Sequence, residues 1–520
     1  MSRDVTITVD GRPLAAPAGA TLASALLGAG VTHFRTSVSG EPRAPVCGMG
    51  VCFECRVTVD GRPHQRSCLV PCADGMRVET APNAMAPAAS PASAGDGTVV
   101  CDVAVVGGGP AGIAAAASAA EGGARVVVID QGMRPGGQIW RHRTAASLPR
   151  AARAWIERAE RALDGAGSTW LARTSVFDAS AGDGIVLRLT GDGAASPAVV
   201  RARRLVVATG ARELFLPFPG WTLPGVMGLG GAQALLKGGM TVRGRRAAVA
   251  GSGPLLLPVA AALARAGARV VSVTEQAPLG QAAAFGAGLW SHPSKLWQAL
   301  GYGRSLLGTR MRFGTWVAAA EGAVDRVERV RLTNGRRTWT VSCDLVCCSY
   351  GFVPNLELAR LLGCDVQRGR VVVDGRQRTS LPNVWCAGEP TGVAGEASAI
   401  IEGRIAGLDA AGADDAAVPA GLRRARDAWQ RFGDRLTEAF RPRDEVRRLA
   451  AESTIVCRCE DVRRGALDPS WTMRQAKLYT RVTMGPCQGM MCGAACTSLF
   501  GWSPGTVRPP VTGAEVARLA

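Results

Sequence analysis

Sixteen cysteines in 520 residues dominate the chemistry available to this chain, because eight of them fall into two tight sets. Cys47, Cys52 and Cys55 are spaced Cys-x4-Cys-x2-Cys, and twelve residues separate Cys55 from Cys68. Near the other end stands Cys457-Arg458-Cys459; 28 residues past Cys459, Cys487 opens a Cys-x4-Cys pair with Cys492. Thiolates grouped in this way bind metal or do redox work in a reducing compartment, where disulfides do not persist. Gly48 and Gly50 permit a tight loop that turns backbone N–H groups inward, and a hairpin at Asp60-Gly61 can bring Cys68 back to the first three. Zinc suits four thiolates, but zinc sites usually pair two Cys-x2-Cys knuckles and the first set offers one.

The first spacing is that of plant-type [2Fe–2S] ferredoxins, with the fourth ligand arriving sooner. The second resembles bacterioferritin-associated ferredoxin modules, with Thr483 and Pro486 departing from their usual residues. Two [2Fe–2S] clusters are therefore expected: one on Cys47, Cys52, Cys55 and Cys68, the other on Cys457, Cys459, Cys487 and Cys492. They are expected to be separate centres at opposite ends of the body. Cys72, Cys343, Cys347, Cys348 and Cys496 read as packed thiols. No Cys-x-x-Cys lies between residues 100 and 400, which excludes a catalytic disulfide beside a flavin. His33, His64, His142 and His292 form no triad or metal spacing, and the catalytic residues stay unknown.

The second signal is a strand, Cys101 to Val106, that ends in glycines at 107, 109 and 112. An Ala-rich helix follows, then the strand Val126–Ile129 and Asp130, 23 residues after Gly107. Gly107 makes the turn, and Gly109, with Pro110 and Ala111 beside it, lets a pyrophosphate reach the helix N-terminus. Gly112 lets helix pack on strand, and Asp130 can bond a ribose. Two later segments resemble two-dinucleotide-fold flavoproteins and favour FAD: the strand ending Ala208-Thr209-Gly210, and Cys386-Ala387-Gly388-Glu389. The resemblance places Gly136, Gly137 and Gln138 near the isoalloxazine. A second fingerprint carries Gly251 and Gly253, has Leu256 in place of the third glycine, and ends at Glu275. It would suit NAD over NADP, and whether it binds any nucleotide is left open.

These elements must be positioned by a multidomain body. Length predicts three to four domains, and 47% apolar with 20% charged residues excludes wholesale disorder. The formal net charge of +18 does not mark a nucleic-acid face: Lys237, Lys295 and Lys477 are the only lysines, and the arginines are dispersed. No apolar run is long enough for a membrane span and no signal-peptide core opens the chain, so a cytoplasmic protein is expected. The pattern divides as follows: 1–80, a ferredoxin-like domain; 81–98, a linker; 99–240, the first part of an FAD domain; 241–342, an NAD-type dinucleotide domain. The FAD domain resumes over 343–412, a helical connector occupies 413–450, and 451–520 form a small [2Fe–2S] domain. The expected fold is α/β, a two-dinucleotide-binding-domain flavoprotein with an N-terminal β-grasp ferredoxin-like domain and a small α-rich C-terminal [2Fe–2S] domain.

This order of modules resembles the α subunits of heteromeric FAD/[2Fe–2S] amine dehydrogenases, over nearly the whole chain. The group includes opine oxidases, D-hydroxyproline dehydrogenase, hydrogen cyanide synthase and dye-linked L-proline dehydrogenases. Phe215 to Trp221, Gly351 to Asn355 and Glu402 to Gly407 also look like that group. The resemblance implies an electron-transfer subunit whose partner, an amino-acid-oxidase-like β subunit, oxidises an amino acid, imino acid or opine on its own flavin. Electrons would pass through FAD and the clusters to a quinone or dye, with at most a peripheral contact with the respiratory chain. A further flavin, FMN or FAD, at or in the partner is left open. The alternatives are a self-contained NADH-dependent FAD/iron–sulfur reductase and a cluster-delivery module.

Overall fold

The computed structural model describes residues 4–81, 97–191, 197–291, 297, 301–302, 306, 308–412 and 418–514. His292 and nearly all of the expected linker lie outside the described residues. Internal contacts divide the chain into two compact units, Met1–Ala89 with Glu213–Gly351 and Leu436–Gly505, and Ser90–Arg212 with Phe352–Arg435 and Thr506–Ala520. Residues 213–240, grouped with the FAD domain by pattern alone, thus fall in the unit that holds the second fingerprint.

The first unit opens with a five-stranded sheet in the order Arg12–Ala16, Val5–Val9, Arg77–Glu79, Arg56–Val59, Arg62–Arg66. Asp10-Gly11 and Asp60-Gly61 each take two successive positive φ angles, the backbone of a two-residue hairpin turn whose twist matches its strands. Helix Leu22–Gly28, begun by the Thr21 side chain accepting from Ser24 N, buries Leu22 to Leu27. The same unit holds a parallel sheet, Val226–Met227, Leu345–Ser349, Arg246–Gly251, Arg269–Glu275, Met311–Arg312, and an antiparallel meander over Trp316–Ser342. Its C-terminal part has a short strand pair, Ile455–Cys457 with Val462–Arg463, and the helices Met473–Thr480 and Cys492–Phe500. Thr472 and Gln475 form a capping box on the first of these helices.

In the second unit the sheet order is Thr169–Leu171, Val126–Ile129, Thr98–Val106, Val199–Val207, Ile185–Gly191, Thr174–Ala181. Strand Val199–Val207 is long enough to pair with Ile185–Gly191 at one end and Val384–Cys386 at the other. Helix Pro110–Glu121 is almost wholly buried, as an Ala/Gly-rich helix between layers must be. Helix Glu396–Ala410 crosses it so closely that a Cβ on Gly403 or Gly407 would lie 2.1 or 2.2 Å from the carbonyl oxygen of Ala111 or Ala115. The helix expected around Leu422–Phe440 runs from Ala420 to Ala439. Among the described residues no helix is long and apolar enough to cross a membrane.

Candidate functional site

Cys47, Cys52, Cys55 and Cys68 are all buried, at most 3% exposed. The loop that carries the first two sits on helix Leu229–Lys237. Gly48, at φ +61°, has Gly231 O only 2.9 Å from where its Cβ would be, so no side chain fits there. Glu213 holds that helix end in place, accepting from Gly230 N at 2.7 Å and Gly231 N at 3.0 Å. Cys47 Sγ lies 3.2 Å from Cys52 Sγ, and Cys68 hydrogen-bonds Cys55. Backbone N–H groups aim at sulfur: Met49 and Cys52 donate to Cys47 Sγ at 3.4 Å, and Glu54 donates to Cys52 Sγ at 3.5 Å. Such N–H···S bonds stabilise thiolate ligands and raise the potential of an iron–sulfur cluster.

The C-terminal set repeats the arrangement. Cys457 hydrogen-bonds Cys492, Cys459 hydrogen-bonds Cys487, and all four are buried. The bond from Cys492, together with amides of Glu460, Thr483 and Cys459, outweighs burial and draws the Cys457 thiol down to about 7. Each set therefore presents two pairs of thiols. Among the described residues no group of three or more His, Cys, Asp or Glu side chains is placed to hold one metal ion. A two-by-two donor set fits a diiron centre, where each iron takes two thiolates, better than one tetrahedral zinc.

The two sets do not stand at opposite ends of the body. Cys47 and Cys52 share one hydrophobic core with Cys457, Cys459, Cys487 and Cys492. The physical reason is a charged network hidden between the ligand loops. Glu54, between Cys52 and Cys55, accepts from Arg458, between Cys457 and Cys459, at 2.9 and 3.1 Å. Arg35 Nη2 donates to Glu54 at 2.5 Å and to Arg458 O at 2.9 Å. Burial pushes the Glu54 carboxyl up, but Arg458 and Arg35 outweigh it and hold it below its ordinary value. Arg43, also buried, reaches Asp461 at 2.8 Å, and Asp461 accepts from Ser39 N and Oγ. Trp221 closes the wall, with its carbonyl accepting from Arg458 and its ring 4.9 Å under that guanidinium.

In the other unit, the glycine turn expected to hold FAD is built around the N-terminus of helix Pro110–Glu121, which has Gly109 as its cap. Gly107 takes φ +111°, and a Cβ there would lie 2.2 Å from Ala208 O; one on Gly112 would lie 1.8 Å from Gly107 O. Three further segments converge on this turn. Gly136 N donates to Gly108 O at 2.8 Å, and a Cβ on Gly137 would lie 2.8 Å from Gly109 Cα. A Cβ on Gly388 would lie 2.9 Å from Ala111 Cβ. Thr209 and Gly210 follow the neighbouring strand and are tied to Asn355 by bonds of 2.8 to 3.0 Å. Gln138 Oε1 is buried with no hydrogen-bond partner, as an acceptor awaiting a donor on a bound flavin would be. Asp130 accepts from Gly108 N at 2.5 Å and Gly132 N at 2.6 Å, and burial raises its carboxyl. Burial also pushes Glu389, which accepts from Gly395 N, up to about 7.

Residues 101–411 match the pyridine nucleotide-disulphide oxidoreductase family, and residues 2–83 match the 2Fe-2S iron-sulfur cluster binding domain. The chain belongs to this oxidoreductase family. It is 33% identical over 440 residues to hydrogen cyanide synthase subunit HcnB of Pseudomonas aeruginosa, covering 76% of this chain and 91% of HcnB. It is 32% identical over 442 residues to an opine oxidase subunit from Agrobacterium tumefaciens, covering 77% of this chain and 85% of that protein. The P. aeruginosa protein HcnA, a second hydrogen cyanide synthase subunit, is 42% identical over 80 residues, 15% of this chain and 77% of HcnA. A solved L-proline dehydrogenase from P. horikoshii shares the fold with a TM-score of 0.72 at 22% identity, covering 100% of this chain and 98% of that one. The expected architecture holds: a flavoprotein of two dinucleotide folds with a ferredoxin-like domain at its N-terminus. Though the family is named for disulphide chemistry, all sixteen cysteines of this oxidoreductase are free.

The second dinucleotide fold of the oxidoreductase repeats the turn and buried carboxylate of the first, but a segment of its own chain meets it at the mouth. Gly251, at φ +138°, ends its strand against Ser349 O, and Glu275 is 2% exposed. That carboxylate accepts from Gly253 N at 2.7 Å and Ala277 N at 2.8 Å, as Asp130 does from Gly108 N and Gly132 N, and burial pushes it up to about 7. The chain's own segment Phe440–Arg443 engages the remaining polar groups. Ser252 Oγ donates to Phe440 O at 2.6 Å, Gln276 donates to Arg441 O at 3.2 Å, and Arg443 N donates to Gln276 at 3.1 Å. Motif reading missed this segment and the Glu54–Arg458 bridge. The signal for the bridge was present as two charged residues inside ligand loops that had to be buried.

Proposed function

We propose that this chain is the electron-transfer subunit of a heteromeric flavin-dependent dehydrogenase whose partner oxidises an amino acid, imino acid or opine. When bound, flavin takes electrons two at a time and releases them singly, while each [2Fe–2S] centre takes one. In this reading Gly107, Gly109, Pro110, Ala111 and Gly112 cradle the pyrophosphate of FAD, and Asp130 and Glu389 face its ribose and ribityl parts. Gly137, Gln138, Thr209, Gly210 and Gly388 flank the ring and linker. Cys47, Cys52, Cys55 and Cys68 hold one cluster, and Cys457, Cys459, Cys487 and Cys492 the other. The observation that carries the reading is the pairing of eight buried thiols two by two. The similarity of one chain to both HcnA and HcnB supports a fused ferredoxin-like module and a separate oxidising partner.

The competing reading, an NADH-dependent reductase, assigns Gly251, Gly253 and Glu275 to nicotinamide nucleotide binding. The contacts of Phe440–Arg443 with Ser252 and Gln276 weigh against it, because a nucleotide would have to displace them. One experiment separates the two. The chain is purified with and without its partner, and dye reduction is assayed with proline, hydroxyproline, glycine, opines and NADH. The relay reading expects substrate-dependent reduction only when the partner is present; turnover by the isolated chain with an amino acid or with NADH refutes it.

A further inference from the structure

We propose that Arg35, Glu54 and Arg458 form a charged bridge that makes the two cysteine sites one coupled pair, whose centres exchange electrons directly and share a common electrostatic control. This rests on the reading that each site holds a [2Fe–2S] cluster. The path is continuous. Glu54 N–H bonds Cys52 Sγ, the Glu54 carboxylate bonds the Arg458 guanidinium, and the Arg458 backbone joins Cys457 to Cys459. A single peptide step, about 3.8 Å between Cα atoms, separates Glu54 from Cys55 and Arg458 from Cys457 and Cys459. Cys47 and Cys52 lie in the same packed core as all four cysteines of the C-terminal set, so charges at the two sites interact through low-dielectric protein.

The composition of the bridge argues for an electrostatic role. Two guanidiniums face one carboxylate, with side chains at most 6% exposed. A buried ion group is a weak source of stability, since apolar side chains of similar volume could fill the space at no loss. Its net positive charge instead favours an added electron at either site, and the effect is large in a low-dielectric interior. In the exchange one centre loses one electron and is oxidised as the other gains it and is reduced. Both arginines keep their protons, so no proton has to follow.

The test uses the whole iron-loaded chain. Iron is counted, spin resonance is recorded on the fully reduced wild type, and both midpoint potentials are titrated in wild type, Glu54→Gln and Arg458→Gln. The wild type is expected to show two spin-coupled diiron signals, a measurement that needs no variant. Glu54→Gln is expected to raise both potentials by at least a tenfold change in each reduction equilibrium, about 59 mV for one electron. Arg458→Gln is expected to lower both. Four irons with two non-interacting signals overturn the bridge but leave the two-cluster reading standing, as does a variant that moves only the centre on its own loop. Fewer than four irons in the wild type overturns the two-cluster reading itself, and the bridge with it.

Discussion

Glu213 offers a test of the packing that seats the first cysteine loop. Its side chain is 4% exposed and caps helix Leu229–Lys237, yet burial pushes its carboxyl up to about 7 against a usual 4.5. Burial is the larger effect; the amides of Gly230, Gly231 and Leu229 and the Ser349 hydroxyl only moderate it. A folded pKa above the unfolded one means that the folded state holds the proton more tightly. Stability from this group is complete below pH 4.5 and is lost as pH rises through 7. With those two values the loss between pH 5 and pH 8 is about 2.5 kcal/mol. Glu213→Gln removes the titration while keeping one acceptor for the helix amides. Urea unfolding of wild type and variant at pH 5, 6, 7 and 8 measures the difference. The wild type is expected to lose about 2.5 kcal/mol relative to the variant across that range. Parallel pH profiles would refute the argument that Glu213 is buried against its own charge.

Two further perturbations probe the cofactor loops. Gly112→Ala puts a methyl 1.8 Å from Gly107 O, which must push helix Pro110–Glu121 off its strand. It is expected to cut flavin content at least tenfold while iron content stays constant, and a variant that keeps one FAD per chain refutes the cradle. Thr483 is a β-branched residue at φ +68° beside the second cysteine set. A left-handed backbone costs such a residue about 1–2 kcal/mol, and glycine gives back about 0.4–1 kcal/mol through a freer unfolded chain. Thr483→Gly is thus expected to raise the denaturation midpoint slightly, and a lowered midpoint would show that the threonine side chain is needed there.

Much of this protein can be read from local spacing. Gly112 is required by a steric contact within a few residues of itself, since the carbonyl of Gly107 lies less than 2 Å from where its methyl would sit, whereas Gly107 must clear the carbonyl of Ala208, 101 positions further on. The hairpins at Asp10-Gly11 and Asp60-Gly61 are equally local, since two successive positive φ angles favour those residue types. The Cys47–Cys52 pair spans only five positions, but the Cys459–Cys487 and Cys457–Cys492 pairs span 28 and 35 and need the fold to close them. What spacing could not carry was any relation between distant segments. Glu54 and Arg458 are 404 positions apart, and although each sits in a ligand loop, nothing in the local spacing names one as the other's partner. Only the fold brings them together, because a carboxylate and two guanidiniums withdrawn from water must find one another. The same holds for Phe440, which reaches Ser252 from 188 residues away. The sequence by itself singled out the side chains proposed to bind nucleotide and metal. The tertiary structure decided that the two cysteine sets are neighbours and that the second nucleotide fold meets its own chain, because burial and charge pairing act between segments that sequence order keeps apart.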